Sequence, residues 1–244
     1  MENKIQKEFN ASRKYDLKRI KLKDGQYLVQ LTQQNVAKVE AMIRHDSDYS
    51  NSSNVNNESS SAFWLKKLKS CLYGGVFENY YTILEKCVET IDRENSTHLN
   101  ADGVGRKELT QRLYNLNRSE FLHYLKNPQI NDYKLISILS SPTNPEDMKM
   151  KSRRNLSFAS KFCHYACMSI FKGEAEQDNF SIYDSIVRKN LLHYAKYYNL
   201  KIPLDYKTSY PSYIQLIDKI ILASGDEISR NGFDHLLWYF HKAK

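Results

Sequence analysis

Apolar positions along this chain recur mostly at three- and four-residue spacing, the period of an amphipathic helix. The longest regular stripe is Ala159, Phe162, Cys163, Ala166, Cys167 and Ile170, which predicts a helix over 156–171. Val187, Leu191, Tyr194, Ala195 and Tyr198 form the next stripe. It opens at Asp184-Ser185, residue types preferred at a helix N-cap. Similar spacing predicts helices over 33–44, 76–91, 107–116, 118–125 and 133–140. A helix over 61–73 should bury Phe63, Trp64, Leu65, Leu68 and Leu72 and stop at Gly74-Gly75. Another over 212–224 turns Tyr213, Leu216, Ile217, Ile220 and Ile221 inward and stops at Gly225; the last runs over 228–244. One stretch breaks the helical period. Residues 19–31 alternate around Asp24-Gly25, which predicts a small β-hairpin.

Between these segments, 46–61 is rich in Ser and Asn and reads as a mobile loop. Residues 93–105 and 172–181 read as polar connections, and Pro142 and Pro145 mark a linker over 142–148. The expectation is a mostly α protein. It forms a single compact helical domain over 1–244, with lobes 19–141 and 149–244.

Composition narrows the function classes. With 244 residues the chain is long enough to bury a core. Its net charge of +8, with 18 Tyr and 10 Phe among the basic residues, favours a polyanionic partner. No apolar run reaches transmembrane length and no secretory leader is evident, so a cytoplasmic protein without membrane contact is expected, as a monomer. Four cysteines without a CxxC spacing read as free buried thiols. Cys163 and Cys167 share the apolar stripe while His164 points elsewhere, which disfavours a zinc site. No carboxylate cluster suits a metal nuclease beyond Glu174, Glu176 and Asp178, which read as a loop.

Two residues in the best-patterned region carry candidate chemistry. Lys161 lies opposite the apolar stripe with Ser157, Ser160 and His164, yet Phe158, Tyr165 and Met168 flank it. It is either a surface lysine laying its stem over apolar neighbours or a partly desolvated amine, activated for attack. Asp184 is either a plain N-cap or a capping carboxylate that also faces a groove shared with the preceding helix. Upstream, Lys149, Lys151, Arg153 and Arg154 precede a helix start, with Ser157 and Ser160 beside them. They form a candidate phosphate site, and a solvated basic loop is the equal alternative.

The order of these parts resembles the catalytic region of helix-hairpin-helix DNA glycosylases, nearest the 8-oxoguanine DNA glycosylase branch. The resemblance covers about 150–198 and, loosely, the helical C-terminus. It implies a bilobed helical glycosylase architecture in which Lys161 matches the Schiff-base lysine and Asp184 the essential aspartate. Tyr183-Asp184-Ser185-Ile186-Val187 resembles the aspartate motif without its proline-valine lead. The family's hairpin is glycine-rich, whereas Asn155 to Ser160 contains no glycine. The implied activity is excision of a damaged or modified base from double-stranded DNA, with strand cleavage through the lysine and with no cofactor or metal. The DNA contacts would be Lys149, Lys151, Arg153, Arg154, Ser157, Ser160 and His164, and Phe158 and Trp238 would wall the base pocket. A glycosylase acting on modified phage DNA is one alternative. A non-catalytic helical DNA-binding or interaction protein is another. A second placement of the motif pairs Lys107, after Gly103-Val104-Gly105, with Asp132.

Overall fold

The hairpin expected around Asp24-Gly25 forms. The computed structural model describes residues 16–50, 57–75, 79–95, 97–99, 105–141 and 151–242, with the backbone alone for 45–50, 151–154 and 242. In it β1 (Arg19–Lys21) pairs antiparallel with β2 (Tyr27–Val29). Gly25 takes a φ of 83° at the turn, a region that costs an L side chain strain. Asn35 holds the open end of the hairpin. Its carboxamide accepts from Lys18 N at 3.1 Å and donates to Lys18 O and Gln30 O at 3.0 and 2.7 Å.

The other described elements are helical: α1 (Gln33–Ser50), α2 (Ser61–Leu72), α3 (Tyr80–Asn95), α4 (Arg106–Tyr114), α5 (Arg118–Lys126), α6 (Lys134–Ser140), α7 (Lys151–Ile170), α8 (Ser185–Tyr197), α9 (Tyr210–Ser224) and α10 (Arg230–Lys242). A 3-10 turn spans Ala175–Asp178. The protein is mostly helical with one small two-stranded sheet among the described residues. No helix among them is long and apolar enough to cross a membrane.

Local chemistry sets several boundaries. Ser60 caps α2 by accepting from Phe63 N at 3.3 Å. Gly74 ends the helix at a φ of 86°, and Gly75 N reaches back to Ser70 O at 2.8 Å. Asn117 and Glu120 form a reciprocal capping box on α5. Pro211 stands in the first turn of α9 and Gly225 at its end.

Three elements run further than the pattern predicts, one of them α7, which starts at Lys151 instead of 156. Residues 46–50 continue α1 instead of joining a loop. No Gly or Pro stands there, and each further residue of a formed helix adds a backbone bond. α3 extends to Asn95 because its last turn is anchored: Glu94 accepts from Ser61 N at 2.8 Å, and Arg93 donates to Ser59 O. Phe63 and Trp64, expected in the core, are half-buried, with the Lys67 ammonium 4.6 and 4.9 Å from their ring centroids. The remainder of the 46–61 loop at 51–56, and the linker at 142–148, lie outside the described residues.

The chain folds as two compact units, Met1–Ser52 with Asp184–Lys244 and the inserted Ser53–Tyr183. This division differs from lobes split at 142–148, because α7, which follows that linker, packs on α2, α3, α5 and α6, which precede it. In the inserted unit α7 is the central helix, with Phe158, Phe162, Cys163 and Ile170 wholly buried. In the discontinuous unit α10 plays that part, packing on α1, α8, α9 and β2. Gly232 lets α10 approach α1. A Cβ there would stand 2.8 Å from Val36 Cγ1 of α1.

Candidate functional site

The stripe that predicts α7 is its buried face: Ala159, Phe162, Cys163, Ala166, Cys167 and Ile170 have no exposed surface. The side read as polar is largely covered as well. Ser160 is wholly buried; its hydroxyl donates to Ser157 O at 3.0 Å and accepts from Tyr183 N at 2.9 Å. His164 is 3% exposed, and its Nδ1 lies 2.8 Å from Phe180 O. A carbonyl only accepts, so Nδ1 carries the proton. The segment before Asp184 thus covers this side of α7 and partners Ser160 and His164. Neither Ser160 nor His164 is on a surface that DNA could contact, which corrects their assignment as DNA ligands. Ser157 is half-buried.

Lys161 is half-buried. Its Nζ donates to Asn95 O at 3.4 Å. One turn on, the Tyr165 hydroxyl donates to Asn95 Oδ1 at 3.1 Å, while Asn95 Nδ2 donates to Ile91 O at 2.9 Å. Two side chains of α7 therefore converge on the last residue of α3. A cation there meets the negative end of the helix dipole and an orphan carbonyl. Asn95 stands 66 positions from Lys161. No spacing in the sequence signals it.

Asp184 caps α8, as its residue type predicts. Its φ and ψ are −111° and 150°, and its carboxylate accepts from Ile186 N at 2.6 Å. Asp184 is the first residue of the discontinuous unit's second segment, whereas Lys161 belongs to the inserted unit. The residues just before them meet within the inserted unit, through the Ser160–Tyr183 hydrogen bond.

Lys151, Arg153 and Arg154 do not precede α7 but form its first turn, because the helix starts at Lys151 and not at 156. Lys149 lies outside the described residues. Asn155, next along, is wholly buried, and neither atom of its carboxamide has a hydrogen-bond partner among the described residues. Phe158 is wholly buried and packs on Phe162 with ring centroids 6.0 Å apart, so it offers no face for stacking and leaves the base-pocket set. Trp238 is 40% exposed on α10. In the second placement of the motif, Lys107 and Asp132 are both exposed, and 101–104 lie outside the described residues.

Burial pushes the Cys163 and Cys167 thiols well above their ordinary value, and the two lie on the core face of α7. They are packing groups in the thiol form. Comparisons with protein-family models, with curated proteins and with solved structures find no match for the chain.

Proposed function

We propose that this protein is a DNA glycosylase that removes a damaged or modified base from double-stranded DNA, with Lys161 as nucleophile and Asp184 as its acid–base partner. The observation that carries the reading is the Ser160–Tyr183 bond of 2.9 Å. It ties the residue before the lysine to the residue before the aspartate in a chain where 23 positions separate the two. The half-buried setting of Lys161 and the net charge of +8 support it. The bilobed glycosylase architecture is part of the same proposal.

The chemistry follows from an amine and a carboxylate. The target nucleotide leaves the base stack, since its C1′ is unreachable within it. Lys161 Nζ, as free amine, bonds to C1′ while the base departs with the electron pair of the glycosidic bond. Asp184 takes the proton released from the nitrogen and stabilises the cationic sugar. Opening of the sugar ring gives an iminium. Loss of a C2′ proton then expels the 3′ phosphate by β-elimination. Water hydrolyses the iminium and restores the amine.

A second reading has its own observation. The Lys161–Asn95 bond places the ammonium at the C-terminus of α3, where a lysine acts as a cap. A helical DNA-binding protein without catalysis would use it in that way. Borohydride trapping on abasic, oxidised, alkylated and phage-modified duplexes separates the two. Under the glycosylase reading wild type forms a covalent adduct, Lys161→Gln forms none yet still binds DNA, and Asp184→Asn, which keeps the cap, slows the reaction about 10²–10⁴-fold. If wild type never traps, or Lys161→Gln traps as well as wild type, the assignment of Lys161 is wrong.

A further inference from the structure

A tyrosine cluster in the inserted unit is not used by this chemistry. Tyr80 and Tyr81 start α3, Tyr114 ends α4, and Arg118 starts α5. The Tyr114 ring lies 5.4 Å from Tyr81 and 6.2 Å from Tyr80, centroid to centroid, and the Arg118 guanidinium lies 4.8 Å over Tyr80. Tyr80 is at the bottom, 9% exposed. Burial pushes its hydroxyl up to about 12, and that hydroxyl has no hydrogen-bond partner among the described residues. Tyr114 is 47% exposed, and Arg118 is exposed too.

Packing accounts for Tyr80 and not for the other two. A ring held in place by two neighbours yet half open to water keeps apolar area that no described residue covers. Arg118 makes one described hydrogen bond, to the neutral Cys71 carbonyl at 3.3 Å. Its nearest acid in sequence, Glu120, is occupied by Asn117 N at 3.1 Å. The guanidinium charge is thus uncompensated by any described carboxylate. A flat apolar face beside a planar cation with no described counter-charge is complementary to a ligand that joins a flat ring to an anion. An unpaired nucleotide has both, and a strand of them matches the net charge of +8.

We propose that Tyr114, backed by Tyr81 and flanked by Arg118, stacks an unpaired base of single-stranded DNA, with Arg118 on the adjoining phosphate. The inference rests on the DNA reading for its ligand class and is independent of Lys161. Tyr80 and Cys71 position the cluster, Tyr80 as the floor under the guanidinium and Cys71 through its carbonyl.

The test is binding of a fluorescent oligothymidine by full-length protein over a range of salt. Tyr114→Ala should weaken binding about 5–150-fold, the loss of one base–aromatic stack. Tyr114→Phe should keep wild-type affinity, and both should melt as wild type. Arg118→Gln should lower the log–log salt slope by about 0.7. Equal affinity of Tyr114→Ala and wild type overturns the proposal, as does a wild type that does not bind the oligonucleotide. A loss confined to duplex DNA overturns it too, because a paired base offers no face. Trapping by Tyr114→Ala at saturating duplex reads the other proposal separately. If trapping fails throughout while single-strand binding depends on Tyr114, the glycosylase reading falls and this one stands.

Discussion

Removing one hydroxyl should destabilise the discontinuous unit out of proportion to its size. Lys18 and Gln30 form one hydrogen-bonded pair of the hairpin, and Leu22 and Gln26 another. Alternation along an antiparallel ladder makes Arg19 and Val29 the other kind of pair, so Val29 points its N–H and C=O away from β1. Val29 is wholly buried, and water cannot satisfy these groups. Tyr194 of α8 does: its hydroxyl accepts from Val29 N at 3.1 Å and donates to Val29 O at 3.0 Å. Tyr194→Phe keeps the ring, its burial and its edge contact with Phe233. It strips both backbone groups of their partner. An unsatisfied buried group costs about 1–3 kcal/mol, so the pair should cost about 2–6 kcal/mol. For a chain of this length that is about 4–24 °C in Tm. Urea unfolding, with hydrogen exchange at the Val29 amide, reads the loss directly. Tyr197→Phe, at a ring 48% exposed on the same helix, is the control and should be neutral. A Tyr194→Phe loss below about 0.5 kcal/mol would mean that Val29 finds another partner, and the argument would fail.

Two further outcomes follow from α10. Gly232→Ala should destabilise by about 1–3 kcal/mol, since its Cβ meets Val36 Cγ1 at 2.8 Å, and Gly232→Ala with Val36→Ala should recover part of that loss in urea unfolding. His235 has a buried Nδ1 with no described partner, and burial lowers its pKa against a smaller opposing pull from Glu40. A His whose folded value lies below its unfolded one is neutral in both states at high pH. It costs stability as pH falls from about 6.5 through the lowered value, because the unfolded chain takes the proton first. Urea midpoints at pH 7.5 and 5 should therefore fall more steeply in wild type than in His235→Gln; parallel profiles would refute the assignment.

What could be read in advance was what local sequence encodes. Asp24-Gly25 announces the hairpin, Asp184 its cap and Gly74-Gly75 a helix end, each through a preference that holds without the rest of the molecule. The core face of α7 was legible because six apolar residues repeat at one period. Its other face was not. Periodicity puts Ser160 and His164 opposite the apolar stripe, and only the segment at 180–183, returning 16 to 23 residues later, buries them and supplies their partners. Asn95 beneath Lys161 and Tyr165 is a contact across 66 and 70 positions, beyond any pattern. The division into units escaped for the same reason. Pro142 and Pro145 mark a break in secondary structure, while the unit boundary depends on where α7 comes to pack.

The interrupted unit has a consequence for synthesis. α1 leaves the ribosome with Val39 on a face that α10 will cover. From the end of α1 at Ser50 to the end of α10 at Lys242, about 190 residues must still be translated. At about 5–20 residues per second this takes roughly 10–40 s. The inserted unit, contiguous in the chain, completes first and can fold while its flanking partner waits. Throughout that interval the hairpin and α1 form a nascent amphipathic segment without its covering helix. It is the part of the chain most exposed to chaperones and to mispairing between neighbouring ribosomes on one message.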